Sequence, residues 1–143
     1  MSGVRYWVLG VRGIMKNKQG VESWKDLEVW QKAHQLVLEV YRLTKVFPSE
    51  ERYRLVDQLC RASASIPTNI AEGKGRNSLK EYLQFLSIAK GSIEETKYLL
   101  LLSRDLGYLD EPTYYSISDN YDEIARMING LIKSLRTYLT PKT

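Results

Sequence analysis

The spacing of apolar residues toward the C-terminal end constrains the fold more than any other feature. Tyr114, Ile117, Tyr121, Ile124, Ile128, Leu131, Leu135 and Tyr138 alternate at intervals of three and four without a break. On an α-helix these residues form one stripe, whereas on a strand they would scatter over both faces. The pattern predicts a helix with a single buried seam, of the kind that packs in a bundle. Asp110 is placed to cap its start, with Pro112 in the first turn, and Pro141 closes it.

The same rhythm recurs three times upstream. Ser23-Trp24-Lys25-Asp26 has the spacing of a capping box and opens a first helix. That helix carries two neighbouring stripes, Leu27, Trp30, His34, Val37, Tyr41, Thr44 and Ala33, Leu36, Val40, Leu43, Phe47, before Pro48 ends it. Ser49 is the expected cap of a second helix, with Glu50 and Glu51 at its positive end and Tyr53, Val56, Leu59, Cys60 and Ile66 on its apolar side. Pro67 interrupts that pattern and Ile70 and Ala71 resume it, which predicts one kinked helix rather than two. Residues 72–77 close it, with Gly73 and Gly75 able to adopt positive φ. Ser78-Leu79-Lys80-Glu81 opens a third helix along Leu79, Tyr82, Leu86, Ala89, Ile93, Thr96 and Leu100, and Gly107 stops it. The run Leu99–Leu102 makes the end of that helix apolar nearly all round, which suggests more than one packing neighbour. No stretch alternates with period two. The fold class is all-α: an antiparallel up-and-down four-helix bundle over residues 23–140.

Residues 1–22 contain four glycines and no periodicity. They read either as a flexible basic arm or as an upstream extension with Met15 as an alternative start. The apolar run Tyr6–Val11 is too short for a signal peptide and lacks a small-residue cleavage pattern. No apolar stretch approaches the ~18 residues of a membrane span, so a cytoplasmic protein without a membrane partner is expected. Single Cys60 excludes an internal disulfide framework and a multi-cysteine zinc site.

Catalysis has few candidate groups. His34, the only histidine, lies on an apolar stripe with no obvious carboxylate to orient it. Gly73-Lys74 lacks the rest of a phosphate-binding loop, and Ser63, Ser65 and Ser92 lack a neighbouring base. The expectation is a non-enzymatic protein with no cofactor and no metal. Charge is more informative. The net +4 is concentrated in residues 1–22, where Arg5, Arg12, Lys16 and Lys18 face Glu22 alone, leaving +1 for the rest. Within that remainder, Arg52, Arg54, Arg61, Lys74, Arg76 and Lys80 outweigh Asp57 and Glu72. These six are the candidate nucleic-acid contacts, with Lys74 and Arg76 in a glycine-bearing turn before a helix N-terminus. The alternative is a solvated helix connection whose charges aid solubility. Around Pro67, Asn69, Glu72 and Lys90 are candidates for a polar cluster, structural or, less simply, part of a small-molecule site.

At this point the chain resembles a known family, the four-helix-bundle proteins encoded within intervening sequences of bacterial large-subunit ribosomal RNA. The likeness rests on Asp26-Leu27-Glu28-Val29-Trp30-Gln31, Tyr41, Phe47-Pro48, Glu51, Gln58 and Arg61-Ala62. It continues through Ser65-Ile66-Pro67, Asn69-Ile70-Ala71-Glu72-Gly73, Arg76, Phe85-Leu86, Ile88–Glu95 and Leu106-Gly107-Tyr108-Leu109. It covers residues 24–139 and leaves residues 1–22 outside. The resemblance implies a cytoplasmic bundle that assembles as a ring-like homopentamer and has no established enzyme activity. A related branch, accessory proteins of diversity-generating retroelements, implies a reverse transcriptase and its template RNA as partners. The reading that follows is an oligomeric bundle binding nucleic acid, RNA before DNA, through basic patches. The alternative is a protein-interaction scaffold, such as the partner of a reverse transcriptase.

Overall fold

The structure, a computed structural model, describes residues 23–139. The arm assigned to residues 1–22 lies outside the described residues. Four α-helices account for most of the described residues: α1 (Glu28–Thr44), α2 (Asp57–Lys74), α3 (Leu79–Asp105) and α4 (Glu111–Arg136). Each packs on its neighbour in sequence, and α4 closes back on α1, giving the up-and-down four-helix bundle. The α2–α3 seam is the most extensive. Small side chains allow this close approach: Ala62 and Ser63 on α2 and Ala89 and Ser92 on α3 are all buried.

The stripes become the core. Tyr82, Leu86, Ala89, Ile93, Thr96 and Leu100 of α3 meet Ile117, Tyr121, Ile124, Ile128 and Leu135 of α4, and all are essentially inaccessible to solvent. Ile132 is buried in place of Leu131, which is only partly covered, and Tyr138 lies exposed past the end of α4. In the expected apolar patterns, Tyr41 and Tyr53 depart furthest, being 51% and 82% exposed. The run Leu99–Leu102 splits, with Leu99 and Leu100 buried and the other two partly covered.

The helix ends show how local chemistry sets boundaries. Ser23 and Asp26 form the full capping box, but it caps a 3-10 turn at Trp24–Asp26, and α1 begins only after Leu27. Ser78 Oγ accepts from the Glu81 amide at 3.2 Å, and an Asp110 carboxylate oxygen accepts from the Thr113 amide at 2.8 Å. Ser49 does not cap α2. The chain there forms a 3-10 turn (Ser49–Glu51) and then a π-helical turn (Arg52–Val56) that leads into α2 without a side-chain cap. α3 ends at Gly107, where φ is +85° and the amides of Gly107 and Tyr108 donate to Arg104 and Ser103 carbonyls. That doubly bonded end needs a left-handed residue. Gly107 is the only described residue with positive φ, so Gly73 and Gly75 serve differently from the expectation. Gly75 is right-handed. Gly73 is inside α2, where a Cβ would lie 2.9 Å from both Phe85 Cβ and Tyr82 Cδ1. Space, not φ, requires glycine there.

α2 is one helix through Pro67, as expected from the resumed pattern. Around the proline, Thr68 Oγ1 and Asn69 Nδ2 donate to the Ala64 and Ser65 carbonyls, each at 2.8 Å. These are the carbonyls immediately after the one whose amide partner the proline removes.

Candidate nucleic-acid interface

The six basic residues do not form one patch. Arg52 and Arg54 lie at the α1–α2 connection, whereas Lys74, Arg76 and Lys80 flank the α2–α3 turn at the opposite end of the bundle. The 18 residues of α2 separate the two groups by about 27 Å at ~1.5 Å per residue. Arg61, between them, donates through Nε to both Asp57 carboxylate oxygens at 3.2 Å. That i,i+4 pair is largely exposed and neutralises its own charge locally.

Lys74 is a correction. It was expected in the turn as a phosphate contact, but it is the last residue of α2 and only 4% exposed. Gly73 draws α2 tight against α3 at this point, and the following side chain is covered with it. Lys74 therefore offers no surface for a phosphate. Arg76 and Lys80 remain at this end. The Arg76 guanidinium lies 4.7 Å from the Phe85 ring centroid and reaches Glu72 only at 3.9 Å. Lys80, exposed, makes no ion pair with any described residue and stands in the first turn of α3, whose N-terminus faces the same side.

At the other end Arg54 contacts Glu51 at 4.0 Å, and Arg52 rests its guanidinium over the Tyr53 ring at 6.0 Å. Lys45, missed by a window that opened at residue 52, lines a groove of about 370 Å³ with Arg52, Tyr41 and Phe47. Cys60 lines the same groove; burial pushes its thiol pKa up, so it is protonated and unreactive at neutral pH. This end is crowded with carboxylates. Tyr108 donates its hydroxyl to Glu51 at 2.9 Å, which ties the α3–α4 connection to the α1–α2 connection and raises the phenol's pKa.

A stronger charge signal lies in α4. Residues 105–123 carry Asp105, Asp110, Glu111, Asp119, Asp122 and Glu123 and no Lys or Arg, whereas residues 124–143 carry Arg126, Lys133, Arg136 and Lys142 and no carboxylate side chain. Because α4 runs toward the α2–α3 turn, its basic half adds to Arg76 and Lys80, and its acidic half adds to the other end. The bundle is electrically polar along its length. A count of charge by halves of each helix, rather than by windows of sequence, exposes this.

The expected cluster of Asn69, Glu72 and Lys90 is not gathered. Asn69 Nδ2 reaches Ser65 Oγ at 3.0 Å, and Ser65 Oγ pairs with Ser92 Oγ at 2.8 Å, so the polar contact across the α2–α3 seam is Ser65–Ser92–Asn69. Glu72 belongs instead with Arg76 and with a groove of about 400 Å³ walled by Trp24, Trp30 and His34. Lys90 is exposed and makes no ion pair with any described residue. His34 stacks on Trp30 at 5.1 Å with rings nearly parallel, and no carboxylate among the described residues hydrogen-bonds it. Among the described residues no group of three or more His, Cys, Asp or Glu could hold a metal ion, and no helix is long and apolar enough to cross a membrane.

The bundle is similar to a solved one. A 1.70 Å crystal structure of a protein with unknown function from the S23 ribosomal protein family of Bacteroides thetaiotaomicron VPI-5482 matches with a TM-score of 0.69 and 27% identity. The match covers 73% of this chain and 95% of that one. No curated protein matches the chain. Residues 25–130 match the family described as 23S rRNA-intervening sequence protein. That span takes in all of α1, α2 and α3 and most of α4, with the Ser65–Gly73 motif at its centre. The chain belongs to the 23S rRNA-intervening sequence protein family.

Proposed function

We propose that this protein is a non-catalytic, self-associating bundle of the cytoplasm that binds RNA through the basic end formed by the α2–α3 turn and the last turns of α4. The observation that carries the reading is the segregation of charge along the bundle. Arg76 and Lys80 flank the amino end of α3, and the carboxylate-free half of α4 runs to the same end. A phosphate backbone is attracted to such a surface without base contacts, by release of its counterions. The family description, with its ribosomal-RNA association, favours RNA over DNA. One subunit supplies only a few contacts. Self-association would repeat them and raise overall affinity through effective concentration.

The test is binding of a labelled structured RNA across a salt series. Affinity should fall steeply with salt, with log–log slope losing up to about 0.7–0.9 for each phosphate contact removed. Arg76→Ala with Lys80→Ala should weaken binding and flatten that slope, whereas Arg61→Ala should change little because Asp57 already pairs it. Absence of any salt-sensitive shift at low ionic strength sinks the reading. Recovery of a tightly bound protein and no RNA from cells would favour the scaffold alternative instead.

A further inference from the structure

The two described tryptophans are left partly exposed rather than packed away. Trp24 and Trp30 stand just before and within the first turn of α1, with ring centroids 4.9 Å apart and planes inclined at 60°. Val37 of α1 and Pro67 of α2, both buried, line with them a groove of about 400 Å³ between the two helices. A mostly apolar, aromatic-walled concavity of this size, with a few polar groups to orient a guest, has the usual form of a small-molecule site.

Charge in the groove has one sign. Among the described residues that line it, Glu72 is the only carboxylate, and there is no lysine or arginine. The aromatic walls add to that sign, because the face of an indole presents negative charge to whatever lies over it. Cations already gather on these groups from outside the groove. Lys25 Nζ lies 5.5 Å from the Trp24 ring centroid, and the Arg76 guanidinium reaches Glu72 at 3.9 Å. Neither contact is tight. Lys25 is exposed, and the Glu72–Arg76 pair is about half exposed on both sides, the kind of pair that contributes little. A better-placed cation can take Glu72.

The lining also decides which cation. A primary ammonium carries three N–H donors and a guanidinium five, and each donor needs an acceptor once it leaves water. Acceptors are scarce here. The Ala64 carbonyl already takes the Thr68 hydroxyl at 2.8 Å, and indole N–H groups only donate. That leaves Glu72 and a ring nitrogen of His34, too few for either group. An ammonium with its hydrogens replaced by alkyl groups brings charge without donors, and its apolar surface suits the walls. A metal ion fits worse, since no group of three or more His, Cys, Asp or Glu among the described residues could hold one.

We infer that the α1–α2 groove binds a small organic monocation of the quaternary ammonium class, its alkylated head against Trp30 and Pro67 and its charge facing Glu72. Arg76 contacts Glu72 but does not line the groove, so the site is separate from the RNA surface proposed above.

Choline is the probe, titrated into the full chain and followed by calorimetry and by tryptophan fluorescence. Its control is the neutral isostere with a quaternary carbon in place of the nitrogen, alike in shape and without the charge. Choline should bind with a Kd on the order of 1 mM or tighter, as suits so small a ligand. The isostere should bind about tenfold more weakly. Glu72→Gln is an exposed change that should leave the circular dichroism spectrum as it is. It should remove most of the tenfold preference by weakening choline alone. Trp30→Leu keeps an apolar wall without a π face, and it should weaken choline while sparing the isostere. Equal binding of choline and its isostere would overturn the proposal and leave an apolar groove only. Choline binding indifferent to both substitutions would put the ligand elsewhere and overturn it too. No binding at concentrations well above a millimolar would do the same, whether or not the protein binds RNA.

Discussion

Gly73 shows what a single hydrogen in place of a methyl does in this fold. It lets the last turn of α2 reach α3 so closely that Phe85 Cβ and Tyr82 Cδ1 stand 2.9 Å from where a Cβ would be. Neither neighbour is the loose end of a flexible chain, so relief requires α2 to move. Gly73→Ala should cost about 2 kcal/mol, within the range for forcing atoms into a packed core, measured as a fall in the urea midpoint. Tyr121 makes the opposite case. Its ring is wholly buried, and its hydroxyl has no hydrogen-bond partner among the described residues. Tyr121→Phe removes that unsatisfied group with almost no change of shape, so stability at neutral pH should hold or rise by up to about 1 kcal/mol. Burial also raises the phenol's pKa, with Glu39 adding to the shift. A folded-state pKa above the unfolded one stabilises the fold below the unfolded value and loses that contribution above it. The wild type should therefore lose stability above pH ~10, the ordinary tyrosine range, more steeply than the variant. Equal alkaline slopes for the two proteins would contradict this assignment.

At the scale of elements, periodicity made most of the bundle legible before any coordinates. An unbroken 3/4 alternation admits one helix orientation, and the buried residues of α3 and α4 follow it closely. What it could not show was how the ends are made. Nothing local distinguishes the π-helical turn at Arg52–Val56 from a regular first turn, so Ser49 looked like a cap and Tyr53 like a core residue. Nor does a lysine beside a glycine announce burial. Lys74 is covered because of how near α3 passes, a property of the helix pair and not of the heptapeptide around it. The Arg61–Asp57 pair is legible at i,i+4 spacing, and it takes Arg61 out of the free basic surface without changing the net charge of the stretch. The polar contact across the α2–α3 seam belongs to this scale. Ser65 and Ser92, 27 residues apart, meet at 2.8 Å, with Asn69 holding Ser65 from its own helix. A double-mutant cycle of Ser65→Ala and Ser92→Ala in urea should give a coupling of about 1 kcal/mol, the usual net value of a hydrogen bond. Additive losses would mean that each hydroxyl matters only to its own helix.

For the molecule as a whole, net charge is a poor guide and its distribution a good one. Residues 1–22 carry +3 of the total +4, while the hydrophobic core of the described residues runs from Leu27 to Leu135. Truncation therefore tests whether charge and stability separate along the chain. A protein beginning at residue 23 keeps that described core whole and should unfold at about the same urea concentration as the full chain. Its RNA affinity should fall at low salt, since Arg5, Arg12, Lys16 and Lys18 are lost as long-range attraction, but it should not vanish. What remains should be abolished by adding Arg76→Ala and Lys80→Ala, and little affected by adding Arg52→Ala and Arg54→Ala, which stand among carboxylates at the other end. If truncation alone removes all binding, the basic end of the bundle is not the RNA surface and the activity belongs to residues 1–22. If the Arg52 pair abolishes the residue of binding instead, the polarity of α4 is a matter of helix-dipole complementarity alone.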